Sequence, residues 1–121
     1  MIFIKGNVPS SKNSRQWTGK YFIASKTVQK YMKDYSYQYY SLENVKKIKE
    51  ILKGKKKPYN VEFYFIRDTK RKFDYINVAQ IVQDLMVKAG WIDDDNCDEI
   101  IPIFKGYEVD KKNAGVQINI L

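Results

Sequence analysis

Residues 73–96, FDYINVAQIVQDLMVKAGWIDDDN, place one amphipathic helix between a single aspartate and a run of three more. Val78, Ile81, Val82, Leu85 and Met86 recur at helical spacing and read as its buried side. Asn77, Gln80, Asp84 and Lys88 follow at intervals of three, four and four, which makes a polar stripe on another side. The spacing predicts a helix over roughly 75–89, opened at Asp74 and closed by Gly90. Strand-like runs flank it. YNVEFYFI at 59–66 is β-branched and aromatic, and EIIPIFKGYE at 99–108 carries Pro102, which favours an edge or a bulge.

Working outward, IFIK at 2–5 reads as a strand stopped by Gly6. The stretch GNVPSSKNSRQWTGKY has loop composition, and KYFIA after it reads as extended. Ser25 is placed to cap a helix over about 26–40, with Val28, Tyr31, Met32, Tyr35 and Tyr39 on one face. That face reads as core and rim, with a dimer surface as the other use for so many tyrosines. SLENVKKIKEILKG reads as a second helix ending near Gly54, and the terminal VQINIL as an alternating strand completing a hairpin with the run before it. The order β, α, α, β, α, β, β predicts an α+β fold: one domain over 1–121, a small mixed sheet packed with helices.

Composition excludes several chemistries. With no histidine and one cysteine, Cys97, the chain has no imidazole base, no disulfide within itself and no cysteine-rich zinc site. An enzyme built from it works with carboxylates, lysines, hydroxyls or a hard metal ion. Apolar runs are broken by charge well short of the ~20 residues of a membrane span. The formal charge is +8 and unevenly spread: residues 1–72 hold 18 Lys/Arg against 5 acids, and residues 73–121 hold 4 against 9. A polyanion-binding surface beside a separate acidic site fits that asymmetry, and so does an ordinary solvated lysine face.

The acids at the two ends of the 75–89 helix read either as a cation site or as a helix cap followed by a solvated turn. They lie about 14–18 residues apart along a helix that rises ~1.5 Å per residue. To share an ion, the segment after Gly90 has to fold back, or a second subunit has to supply one set. Mg²⁺ takes oxygen ligands, keeps several waters and can stabilise charge on a phosphodiester.

Three pieces of the chain, in order, resemble the RusA-type Holliday junction resolvases. VPSSKNSRQ is similar to that family's Pro-Ser-x-Asn loop, and YFIASKTVQKYMKD to its extended segment and helix. RKFDYINVAQIVQDLMVKAGWIDDDN resembles its core signature of Asp-x-Asp-Asn, helix, Ala-Gly and Asp-Asp. The resemblance implies a homodimeric endonuclease that nicks opposing strands of four-way DNA junctions with Mg²⁺ or Mn²⁺. It also implies no membrane partner and a cytoplasmic location in a bacterial host, encoded by a phage or prophage.

Carried over, the resemblance assigns Asp74, Asn77, Asp94 and Asp95 to the metal, with Asp74, Asp94, Asp95 and Lys72 as catalytic residues. Lys12, Asn13, Arg15, Lys70, Arg71 and Lys72 are the expected DNA contacts. The chain departs from the signature at two places: Ile76 stands for the second acid and Gln80 for a catalytic lysine. These departures keep open an alternative, a RusA-like junction binder or a replication or recombination partner without cleavage. Trp17, in a polar loop, is the candidate for stacking on unpaired bases, whereas Trp91 reads as core.

Overall fold

Alternation along the β-branched and aromatic runs sets the sheet, seen in a computed structural model that describes residues 1–11, 15–17 and 22–121, without the side chains of 15–17 and 22–24. Strands β1 (Ile2–Lys5), β2 (Arg15–Trp17) and β3 (Phe22–Ala24) come first, and β2 and β3 pair as a small antiparallel ribbon. Helices α1 (Lys26–Tyr35), α2 (Tyr37–Tyr40) and α3 (Leu42–Leu52) follow. Strand β4 (Tyr59–Arg67), helix α4 (Tyr75–Lys88) and strands β5 (Ile100–Val109) and β6 (Gly115–Ile120) complete the order. The main sheet runs β1-β6-β4-β5, so the protein has a mixed α+β fold with a four-stranded sheet and helices packed on it.

The predicted closing hairpin is not formed. β5 lies parallel to β4, with α4 as the crossover, while β6 inserts between β4 and β1 and is antiparallel to both. The chain leaving β5 passes over the end of β4, where the Asp110 N–H donates to the Arg67 carbonyl at 2.9 Å. β5 therefore takes the edge, the position its Pro102 allows.

The predicted 26–40 helix is interrupted at Ser36. Its hydroxyl donates to the Met32 carbonyl, and the Tyr39 N–H turns back to the Ser36 carbonyl, which tightens the chain. Gln38 then pairs with both backbone groups of Lys5, each at 2.8 Å, and so covers the open edge of β1. Ser25 caps α1 as expected, its hydroxyl accepting from the Val28 N–H, and Ser41 caps α3 in the same way.

Val61, Phe63 and Phe65 of β4, Ile118 of β6 and Ile4 of β1 join Val78, Val82, Leu85 and Met86 of α4 in one buried core. Tyr31 and Tyr39 belong to it too, their hydroxyls 3.0 Å apart, which fixes the core reading of the tyrosine face. Burial pushes the Tyr31 phenol up to about 12 and the Tyr39 phenol well above its ordinary value. The folded state thus holds both protons more tightly than the unfolded chain. Stability is unaffected below the unfolded tyrosine value of about 10 and falls as pH rises from there towards 12. Urea unfolding across pH 9–11.5 is expected to show that decline, with a shallower slope in Tyr31→Phe.

Gly6 ends β1 with φ +110°, and a methyl group there would meet the Tyr35 ring at 2.5 Å. Gly6→Ala is expected to cost about 2 kcal/mol or more, from strain and overpacking together. Urea denaturation measures it.

Candidate metal and nucleic-acid site

α4 begins where the basic 67–72 segment meets the sheet. Phe73 and Tyr75 both turn into an aromatic cluster: Phe73 lies edge-on to Tyr107 at 5.1 Å, and Tyr75 stacks on Phe104 at 5.4 Å. Asp74 has extended backbone between them, so its side chain emerges on the opposite side and is exposed. It is the N-cap residue, yet its carboxylate makes no cap bond to the backbone. Instead Oδ2 accepts from the Asn77 side-chain amide at 3.2 Å. The Asn77 carbonyl accepts from the Ser11 N–H at 3.0 Å, which ties the first loop to the same helical turn.

The far end of α4 is built by a glycine. Gly90 has φ +80°, the Gly90 N–H returns to the Val87 carbonyl and the Trp91 N–H to the Met86 carbonyl, a Schellman closure that reverses the chain. Trp91 then enters the core. Its indole N–H donates to the Tyr39 carbonyl at 2.8 Å and its ring lies 5.5 Å from that of Tyr39. Ile92 is buried beside it. Lys57 fixes the continuing loop at two points, 2.8 Å from Asp93 and 2.9 Å from Glu99, and these carboxylates hold its ammonium above the ordinary lysine range. Lys57 is thereby an internal clamp rather than part of a free basic surface.

The reversal brings acids from both ends of the segment onto one side of one chain. Gln80 Nε2 donates to Asp84 Oδ1 at 2.8 Å and to Asp95 Oδ2 at 3.4 Å. Spacings of three, three and four residues put Asp74, Asn77, Gln80 and Asp84 on a common face of α4. Asp95 therefore meets the helix at its middle turns, and no second subunit is needed to bring it there. Asp94 is engaged by its own loop: it accepts from the Asp95 N–H at 2.8 Å and from the Asn96 side chain at 3.0 Å, bonds that lower its pKa from the ordinary value. Among the described residues, no group of three or more His, Cys, Asp or Glu side chains is close enough to hold a metal ion. The sequence-predicted set thus divides into the Asp74–Asn77 pair, Asp95 at Gln80, and Asp94 within its turn. Asp84 was visible in the polar stripe but not assigned a role; only the fold-back reveals its partner. Ile76, in the first turn, is 66% exposed.

Beside the N-terminal end of α4 lies a cleft of about 940 Å³. Its walls carry Lys5 and Lys30, then Arg67, Arg71 and Lys72, then Lys111 and Lys112 from the β5–β6 turn, with Asp68 as the acid among its lining residues. Arg71 and Lys72 are where the sequence placed DNA contacts. Lys70 is exposed and does not line the cleft. Lys12 and Asn13 lie outside the described residues, as does the Arg15 side chain. Lys5, Lys30, Lys111 and Lys112 were missed because they converge from three distant parts of the chain. Among the described residues, no helix is long and apolar enough to cross a membrane. No family model matches the chain, and no curated protein matches it.

Proposed function

We propose that this protein is a RusA-like, Mg²⁺-dependent endonuclease selective for branched DNA, acting on four-way junctions as a homodimer in the bacterial cytoplasm. The observation that carries this reading is the return of Asp95 to Gln80 and Asp84, on the helix face that begins with Asp74 and Asn77. Two carboxylate oxygens converge there on the NH₂ of one side-chain amide, an all-oxygen donor set suited to an ion held by one or two carboxylates and substrate phosphates. Asp84 and Asp95 would hold the ion, with Asp94 ordering the turn that presents Asp95 and the Asp74–Asn77 pair facing substrate from the first turn of the same helix face. When bound, Mg²⁺ supplies Lewis-acid stabilisation of charge on the phosphodiester and lowers the pKa of water. Lys72 and Arg71, exposed beside Asp74, position the backbone and offset charge developing on the phosphate.

A specific observation favours a second reading, a junction binder without cleavage. A neutral amide at Gln80 already bridges the two carboxylates, and apolar Ile76 occupies the exposed first turn. Incubation of a labelled four-way junction and a linear duplex with Mg²⁺ or Mn²⁺ decides between them. Symmetric nicking of the junction that vanishes in Asp74→Asn supports the nuclease. Tight junction binding in Ca²⁺ with no cutting in either activating ion supports the binder, and neither binding nor cutting removes both. Ile76→Asp adds a carboxylate one turn from Gln80 at little structural cost, since the position is exposed and near a helix N-terminus. It is expected to lower the Mg²⁺ concentration for half-maximal cleavage by about tenfold, a carboxylate–cation contact being of the order of a charged hydrogen bond.

A further inference from the structure

Arg67 is the unusual cation of the basic cleft. It is half-buried at the end of β4, and its guanidinium donates to the Val8 carbonyl at 2.6 Å and lies 4.6 Å over the Phe73 ring. Among the described residues no carboxylate comes within ion-pair distance of it, and residues 1–33 contain no Asp or Glu at all. Among the described residues, the carbonyl and the ring use only part of the guanidinium's hydrogen-bonding capacity. Desolvation lowers its pKa from the ordinary value, against a smaller opposing pull from the neighbouring Asp68 carboxylate. Six lysine and arginine side chains share the cleft with it, so an anion there meets far more positive than negative charge.

About 940 Å³ is near the top of the roughly 300–1,000 Å³ range of small-molecule pockets, room for one or two nucleotides of a strand. The exit is also defined, because the 67–72 segment that walls the cleft runs directly into Asp74. We infer that the cleft binds a single, unpaired nucleic-acid strand through its phosphates, with Arg67 as the anchoring contact and Lys111 and Lys112 at the rim. This rests on the nucleic-acid reading above but not on cleavage.

The test is fluorescence anisotropy of a labelled single-stranded hexanucleotide at several salt concentrations in EDTA, where no cutting occurs. Arg67→Gln is expected to weaken binding by about tenfold, the worth of one charged hydrogen-bonding contact. It should also flatten the dependence of log K on log salt by about 0.7, as loss of one strand phosphate contact does. Arg67→Lys should recover part of both. The double change Lys111→Ala/Lys112→Ala, on an exposed turn, should keep the wild-type unfolding midpoint while flattening the slope by about twice as much.

Competition by inorganic tripolyphosphate as effective as that by the oligonucleotide would keep the phosphate site and assign it to a small ligand, overturning the strand. Duplex binding as tight as single-strand binding overturns it too. Unchanged affinity and slope in the lysine double variant overturns the site itself, whatever Arg67→Gln does to folding. Strand binding without junction cutting leaves this inference standing and defeats only the nuclease; the reverse result does the opposite.

Discussion

Asp95→Asn is expected to reduce metal-dependent junction cleavage by at least ~100-fold while leaving the unfolding midpoint where it is. The effect is of the size seen when one preorganised electrostatic contact to a reacting centre is removed. Asparagine matches aspartate in shape, and its carbonyl oxygen can still accept from Gln80 Nε2, 3.4 Å away in the native protein. What disappears is the negative charge. Asp84 accepts from the same amide, so Asp84→Asn should lose activity similarly, and the double variant should lose little more than either alone. Asp93→Asn is the control. That side chain is 85% exposed and turned to Lys57, so single-turnover rates with excess Mg²⁺ should match wild type.

Trp91→Ala is expected to produce the largest stability loss, about 3–5 kcal/mol by urea denaturation. The side chain is 3% exposed and packs on Tyr39, and truncation opens a cavity where the chain turns back from α4. Its indole also satisfies the Tyr39 carbonyl at 2.8 Å. Trp91→Phe separates the two contributions: the ring stays, the carbonyl loses its donor, and the loss should be about 1–3 kcal/mol. The link to function is positional. Trp91 is the first fixed point after Gly90, four residues before Asp95, so the fraction of Trp91→Ala that remains folded at low temperature should cut poorly. If that fraction cuts at the wild-type rate, Trp91 does not position the acidic turn.

How much of this was legible in the sequence depends on the range of each interaction. α4 declared itself through apolar spacing, its Gly90 stop and the strands on either side, all local signals. The sequence puts Asp74 at the helix start with cap and ligand both open; its exposure is set by Phe73 and Tyr75 turning into the aromatic cluster on either side of it. The Ser36 break was not visible, because Gln38 is drawn away to Lys5, 33 residues distant. The place of β6 was misread for a similar reason: parallel pairing of β4 with β5 is set across α4, and it removes the hairpin that adjacency implied. The return of Asp95 was one of two open possibilities, and the contact that selects it, Trp91 to Tyr39, spans 52 residues. The cleft was half legible. Arg71 and Lys72 stood in an obvious basic run, whereas Arg67 is distinguished from its neighbours only by burial, Val8 and Phe73.

We propose that the turn after Gly90 and the polar face of α4 form one cation site, and titration of ¹⁵N-labelled protein with substoichiometric Mn²⁺ tests this, since a paramagnetic ion broadens the amide signals around it. Residues 74–80, 84 and 94–96 are expected to broaden together and saturably, an effect reversed by excess Mg²⁺ and lost in Asp95→Asn. Broadening confined to one end of α4, or spread evenly over the exposed carboxylates, would contradict it.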